Sequence, residues 1–320
     1  MYAVDFSSPD FKRVLDQWWY YSVELAPGIV TKGYNFDNII CTRELLSRLS
    51  PSGKDICDIG TVEGMLPILL KRRGARSVVA LDALDSTEKV NLVQRCYGQS
   101  FEYYPKITLD RLKDTLTTRS NLSRYSGQQY IKQGFDVVVL SGVLYHVFSP
   151  LHVIGLARTL LRPGGLLIIE TACSTEDRFS MNWVFNGRQY VYWSGTNTWF
   201  FTLRLLDHIL RYMKLKPIDC VHGQFREDAT RVALAAVAAP DPLPFKSEAE
   251  WFLPDHMLDY HEVVDVNWAA GGTAEVSYTP GHNLYHSELP DAVDLHKTVM
   301  KTRALPSDPN KTMFHLKDQF

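Results

Sequence analysis

The sequence predicts an α/β protein whose core is a doubly wound sheet of seven strands. Three observations carry that expectation. Short runs that are apolar at nearly every position recur through residues 51–240, among them "DICDIG", "SVVALD", "FDVVVLSG" and "LLIIET". Stretches with helical spacing of apolar residues, such as "GMLPILLKRRG", lie between them. The chain has 320 residues, 45% hydrophobic and 22% charged, enough for one large core with additions. Strands apolar on both faces, alternating with amphipathic helices, make a mostly parallel sheet covered on each side.

Along the chain, "DICDIG" is the first strand. "GMLPILLKRRG" follows as a helix, with Pro67 in its first turn and Gly74 as its stop. Its Lys71-Arg72-Arg73 run sits where cations meet the negative end of the helix dipole. "SVVALD" is the second strand, "STEKVNLVQRCYG" the next helix, "FEYY" a weak third strand and "FDVVVLSG" a strong fourth. "SPLHVIGLARTLLRPGG" is a helix with Ser149 as cap and Pro150 at its first position, and "LLIIET" is the fifth strand. "TLRLLDHILRYMKL" is a helix, "KPIDCVHG" the sixth strand and "TRVALAAVAAP" the seventh. The arrangement is Rossmann-like.

Three regions fall outside this rhythm. Residues 1–50 are an aromatic-rich cap segment, expected to be helical. Within the core, 51–240, an insertion spans 105–133 and an aromatic lid 174–200. Residues 241–320 follow the Pro-rich "APDPLPF" and include a hairpin, "VDVNWAAGGTAEVSY", turning at Gly271-Gly272. This extension is expected to be a cap or the surface of a homodimer.

Bulk properties exclude several classes. Net charge is −2, without the basic excess of a nucleic-acid binder. The insertion is locally positive (Lys106, Arg111, Lys113, Arg119, Arg124, Lys132) and reads as a solvated arm. Cys41, Cys57, Cys96, Cys173 and Cys220 are scattered without a CxxC pair, which fits reduced thiols in a cytoplasmic protein. No signal-peptide pattern opens the chain, and no apolar stretch approaches the ~18 residues of a membrane span.

"CDIGTVEG" ends the first strand, on the edge where an open parallel sheet binds its ligand. Glycines there let the backbone approach a ligand, and the following helix offers free N–H groups. Asp82 ends the second strand, 24 residues after Asp58, in the position of an acid that accepts ribose hydroxyls. A dinucleotide site would keep the GxGxxG spacing. Here Val62 takes the second glycine's place, and Glu63 would repel a pyrophosphate. A nucleoside cofactor without phosphate, S-adenosylmethionine, tolerates both.

"DICDIGTVEGMLPILLKRRGARSVVALD" and "FDVVVLSGVLYHVFSPLHVIGLARTLLRPGGLLIIET" resemble the motif blocks of class I S-adenosylmethionine-dependent methyltransferases. "GVLYH" followed by "PL" and "PGG" is similar to the wobble-uridine tRNA carboxymethyltransferases and their small-molecule relatives, as is the entry segment "YSVELAPGIVTKGYNFDN". The match spans roughly Trp18 to Thr171. The resemblance implies that Asp58, Gly60, Thr61 and Gly64 line the methionine end of the cofactor. It implies that Asp82, with Ala83 beside it, holds the ribose, and that Gly142 and Val143 pass under the sulfonium. The product would be S-adenosylhomocysteine. The tRNA members carry a basic residue before the entry glycine, whereas Val23-Glu24-Leu25-Ala26-Pro27 has none, which favours plain methyl transfer.

His146 follows the fourth strand, and its reference pKa of ~6.5 suits proton transfer. Tyr145 beside it closes over the sulfonium or packs, and Glu170 ends the fifth strand as base, substrate anchor or structural carboxylate. Trp18, Trp19, Tyr192, Trp193 and Trp199 are candidate walls of an aromatic pocket, with Arg188 reading an anionic group on the substrate. His256, His261, His282 and His286 read as surface histidines rather than a metal site. The favoured function is methyl transfer to a small molecule in biosynthetic tailoring, with O- or N-methylation ahead of C-methylation. The alternatives are a tRNA-modifying enzyme and a cofactor-binding scaffold without turnover.

Overall fold

The computed structural model describes residues 4–34, 38–107, 134–183, 199–226, 229–239, 272–281 and 294–318. Helix α1 (Pro9–Leu15) is capped by Ser8, whose Oγ accepts from Phe11 N–H at 3.2 Å, with Pro9 in its first turn. Strands β1 (Glu24–Ala26) and β2 (Ile29–Val30) pair antiparallel around Pro27-Gly28. Gly28 has φ +77°, a left-handed conformation that a side chain would strain. The middle of the cap segment is therefore extended rather than helical. Helix α2 (Asn38–Ser47) and β3 (Leu49–Ser50) complete it.

The core then runs β4 (Asp55–Ile59), α3 (Met65–Arg72), β5 (Ser77–Leu81), α4 (Thr87–Tyr97), β6 (Glu102–Tyr104) and β7 (Phe135–Ser141). A 3-10 turn (Leu144–His146) leads into α5 (Pro150–Thr159) and β8 (Leu161–Ser174). Ser149 stands at the cap of α5 without a side-chain capping bond, so Pro150 alone marks the start. Next come β9 (Met181–Trp183), β10 (Trp199–Thr202), α6 (Leu203–Tyr212), β11 (Leu215–Arg226) and β12 (Ala229–Ala238). The last described elements are β13 (Ser277–Tyr278), α7 (Asp294–Lys301) and α8 (Pro309–Thr312).

The sheet order is β11-β12-β8-β7-β4-β5-β6, so all seven expected strands take part, and β10 and β9 extend it beyond the end of β8. Strand β12 is antiparallel to both neighbours. Only two residues separate it from β11, too few for the crossover that a parallel neighbour needs. Alternate residues feed two cores. Ile56, Val78, Val139 and Ile168 face α2, α3, α4, Trp19 and Phe314. Cys57, Val79, Leu140 and Ile169 face α5, α6 and α7. Each fully buried aliphatic side chain contributes about 1.5–3 kcal/mol.

The basic run after α3 does more than balance a dipole. Lys71 Nζ donates to the carbonyls of Ala75 and Arg76, Arg73 to Leu46 O at 2.6 Å, and Arg72 to Leu316 O at 2.5 Å. The second arm of the expected hairpin pairs elsewhere: Ser277 and Tyr278 lie opposite Ser50 and Leu49. The first arm, the histidines 256, 261, 282 and 286, and most of the 105–133 insertion lie outside the described residues. All five cysteines are free thiols.

Candidate functional site

The carboxyl ends of β4, β5, β7 and β8 meet the start of β12 at one edge of the sheet. Asp58 sits one residue from the end of β4, buried, and its Oδ2 has no hydrogen-bond partner among the described residues. Thr61 Oγ1 is equally buried and likewise without a partner among them. Such orphaned polar atoms are rare unless a ligand completes them. Burial pushes the Asp58 carboxyl up to about 7, and the nearby charge of Asp82 adds to the rise.

Between these two groups, Gly60 has φ +83°, and a Cβ placed there would stand 2.4 Å from Val143 Cγ2. The loop after β4 and the turn after β7 thus approach so closely that only glycine fits. Val62, where a dinucleotide loop would have glycine, is held at φ +53° although it is β-branched. Its N–H donates to Asp82 Oδ2 at 2.7 Å, which offsets part of that strain. Asp82 Oδ1 accepts from Leu84 N–H at 2.8 Å. Each carboxylate oxygen keeps a lone pair for a further donor. Ala83 is exposed beside it. Gly64, at φ +78°, opens α3 with Phe101 against it.

Through Oε1 the buried carboxylate of Glu63 accepts from Tyr20 N–H at 2.7 Å and lies 3.4 Å from Lys89 Nζ, while Oε2 has no hydrogen-bond partner among the described residues.

On the face of the sheet that carries Asp58, polar groups cross neighbouring strands. Ser141 ends β7, and its Oγ is 2.6 Å from Thr42 Oγ1 on α2. Glu170 on β8 lies opposite Ser141 and is clamped by Arg231 of β12 through Nε at 2.5 Å and through Nη2. The Arg231 guanidinium also lies over the Tyr145 ring, 4.8 Å from its centroid. Burial raises the Glu170 carboxyl pKa, and the Arg231 charge opposes the rise. Glu170 is thus a buried ion-pair partner, and both of its oxygens face Arg231 instead of an incoming acceptor.

Tyr145 is buried against Ala172 and Phe200. His146 is exposed on the 3-10 turn, its ring centroid 4.3 Å from that of Tyr145. Gly142, at φ +72°, donates its N–H to Glu170 O at 3.0 Å, and Val143 is buried under the loop.

The expected aromatic wall divides. Trp19 is fully buried in the core, its Nε1 donating to Val14 O at 3.2 Å, so it is not a substrate contact. Trp18 is 56% exposed and packs with Tyr20, Tyr34 and Lys89 on the entry segment. Trp199 stands apart from them, edge-on to Trp183, with Nε1 donating to Phe148 O at 2.8 Å. Arg188, Tyr192 and Trp193 lie outside the described residues.

Sequence reasoning missed Arg231. Arg231 had a signal, a cation inside an otherwise apolar strand, which requires a buried partner. Tyr21 lies within electrostatic reach of Glu63, Tyr145 and Asp58 and is buried, which pushes its phenol well up.

Among protein-family models, one described as a methyltransferase domain matches residues 37–214. The ubiquinone biosynthesis O-methyltransferase of Roseobacter denitrificans is 30% identical over 222 residues, 65% of this chain and 81% of that protein. The enzyme of the same name from Dinoroseobacter shibae is 29% identical over 223 residues, again 65% of this chain and 81% of that protein. Among solved structures, the N-terminal domain of EvdMO1, crystallised with S-adenosylhomocysteine (SAH) and D-fucose, superposes with a TM-score of 0.54 at 16% identity. That superposition covers 74% of this chain and 98% of the domain, a likeness of fold.

Proposed function

The chain belongs to the methyltransferase-domain family as a class I, S-adenosylmethionine-dependent methyltransferase, and from that premise we propose that it methylates an oxygen of a small-molecule acceptor in a biosynthetic pathway. The observation that carries the site assignment is the buried Asp58 Oδ2, which lacks a partner among the described residues beside two glycines that keep the loop open. A cationic ammonium is the complement of that oxygen. Thr61 Oγ1 adds a second polar contact, and Asp82 has lone pairs left for ribose hydroxyls. The residues present therefore fit the cofactor. When bound, S-adenosylmethionine supplies an electrophilic methyl group on a sulfonium.

The chain's own residues do the rest. The backbone at Gly142 and Val143 fixes the turn that faces the loop. The buried Tyr145 ring, held under Arg231, keeps water from that side. His146, exposed next to it, accepts the acceptor's hydroxyl proton on an imidazole nitrogen, a step worth about 10²–10⁴ in rate. Oxygen as the acceptor atom rests on the O-methyltransferases to which the chain is similar.

The test has two stages. Calorimetry compares S-adenosylmethionine, SAH and NAD. Selective binding of the first two is expected, and tighter binding of NAD would overturn the reading. A panel of phenols and alcohols is then incubated with labelled S-adenosylmethionine and scored by mass. A gain of one methyl on oxygen is the expected product, and a gain on nitrogen or carbon alone refutes the oxygen assignment.

A further inference from the structure

The segment that reaches the site from the N-terminal side is held in place by residues near the other end of the chain. Tyr20 bonds through its N–H to Glu63 in the loop after β4, and the ring of Tyr21, next along, lies edge-on to that of Tyr20 at 4.8 Å. The segment is pinned to itself by the short β1–β2 contact, by Tyr34 N–H donating to Tyr20 O and Thr31 N–H to Val23 O, both at 2.9 Å, and by Thr31 Oγ1, which donates to Tyr21 O at 2.8 Å and accepts from Val23 N–H at 2.9 Å.

Residues 309–318 add a second set of contacts from outside the segment. Phe314 N–H donates to Ser22 O at 2.9 Å, and Glu24 N–H donates to Phe314 O at 2.8 Å, which makes a parallel bridge to Val23. Leu316 N–H donates to Glu24 Oε2 at 3.1 Å. The Phe314 ring is fully buried, edge-on to Tyr21 at 5.1 Å, with the Arg43 guanidinium 5.0 Å from its centroid. Arg43 Nη1 in turn donates to the carbonyls of Lys311 and Met313, both at 2.9 Å, and its Nη2 pairs with Asp318 at 3.0 Å.

We propose that Phe314 is a positioning residue for cofactor binding: it clasps Tyr21 and the Ser22–Glu24 backbone, so that residues 309–318 strap the entry segment over the methionine end of the site. This rests on the assignment of Asp58 to that end. The strap touches neither Asp82 nor the loop that follows it, so its effect falls on the amino-acid half of the ligand and spares the nucleoside half.

Two ligands separate the halves: SAH, and 5′-methylthioadenosine, which lacks the amino-acid group. Calorimetry on the full chain compares wild type with Phe314→Ala, Phe314→Leu and Arg43→Lys, with circular dichroism and a melting curve to show folding. Phe314→Ala is expected to weaken SAH at least tenfold and methylthioadenosine less than twofold. Phe314→Leu should fall between, and Arg43→Lys, which leaves the core filled, should weaken SAH severalfold. Folded variants that bind SAH as wild type does overturn the proposal, and so does an equal loss for both ligands. A wild-type chain that binds no SAH refutes the site assignment instead, so the two failures are distinct.

Discussion

SAH should bind more tightly as pH rises, because its ammonium selects the ionised form of Asp58. In the free protein that carboxyl is pushed up to about 7 by burial, with the charge of Asp82 adding to the effect. The ionised fraction is about 3% at pH 5.5 and about 90% at pH 8, so affinity should rise about 30-fold, worth about 2 kcal/mol. Stability of the free chain runs the other way. A carboxyl whose folded pKa exceeds its unfolded value keeps its proton in the native state, so the folded form loses stability as pH climbs from about 4 to about 7. Among the described residues, Thr61 opposes the rise and the charge of Asp82 adds to it. Asp82, also raised by burial, is controlled by repeating the titration in Asp82→Asn. The assay is calorimetry across that pH range, on wild type and Asp58→Asn. An affinity that is flat in wild type, or equally steep in Asp58→Asn, would refute the reasoning.

Three further outcomes are expected. Arg231→Met strands the buried Glu170 carboxylate and should cost about 3–5 kcal/mol, or about 4–8 °C in melting temperature for a chain of this size. Adding Glu170→Gln should recover most of that loss, and a double variant no more stable than the single one would show the pair is not the cause. Gly60→Ala should destabilise the chain by about 1–3 kcal/mol in denaturant melts. Adding Val143→Ala relieves the contact at 2.4 Å but not the φ of +83°, so only part of the loss should return. Asp82→Ala should leave the sheet folded and weaken SAH by about 1.5–3 kcal/mol, measured by calorimetry, and an unchanged affinity would remove Asp82 from the site.

The sheet was legible because most core strands are apolar on both faces, and α3 and α4 end at the glycines expected, Gly74 and Gly98. Helix α5 is shorter than expected, stopping at Thr159, and the Pro163-Gly164-Gly165 read as its end lies within β8. Among the seven core strands, β12 runs against the rest, and it was legible as a strand but not in direction, since direction depends on a two-residue connection and not on the apolar run. That Asp58, Gly60 and Asp82 fall at the carboxyl ends of β4 and β5 was readable from the strand pattern. The partners of Glu63 and Glu170 were not readable, for a shared reason. A carboxylate at the ligand edge looks the same in sequence whether it faces the ligand or pairs with Lys89 or Arg231, and those partners are remote in the chain. Trp19 and Trp18 are adjacent and chemically alike, yet one is core and one is surface, which only the extended path through Pro27-Gly28 decides.

The order of strands has a consequence for how fast the molecule assembles. Strand β4 lies inside the sheet, and its Ile56 pairs on one side with Val78 but on the other with Val137, far along the chain. Until β7 is in place, one rim of the first strand pair presents open backbone groups and apolar side chains. Closing such distant pairs comes before the contacts that reward it, so refolding belongs with the slow, sheet-dominated proteins rather than with helical bundles. Diluted from denaturant, the chain should therefore give its best yield at low protein concentration, where an exposed rim meets its own partner strand before it meets another molecule.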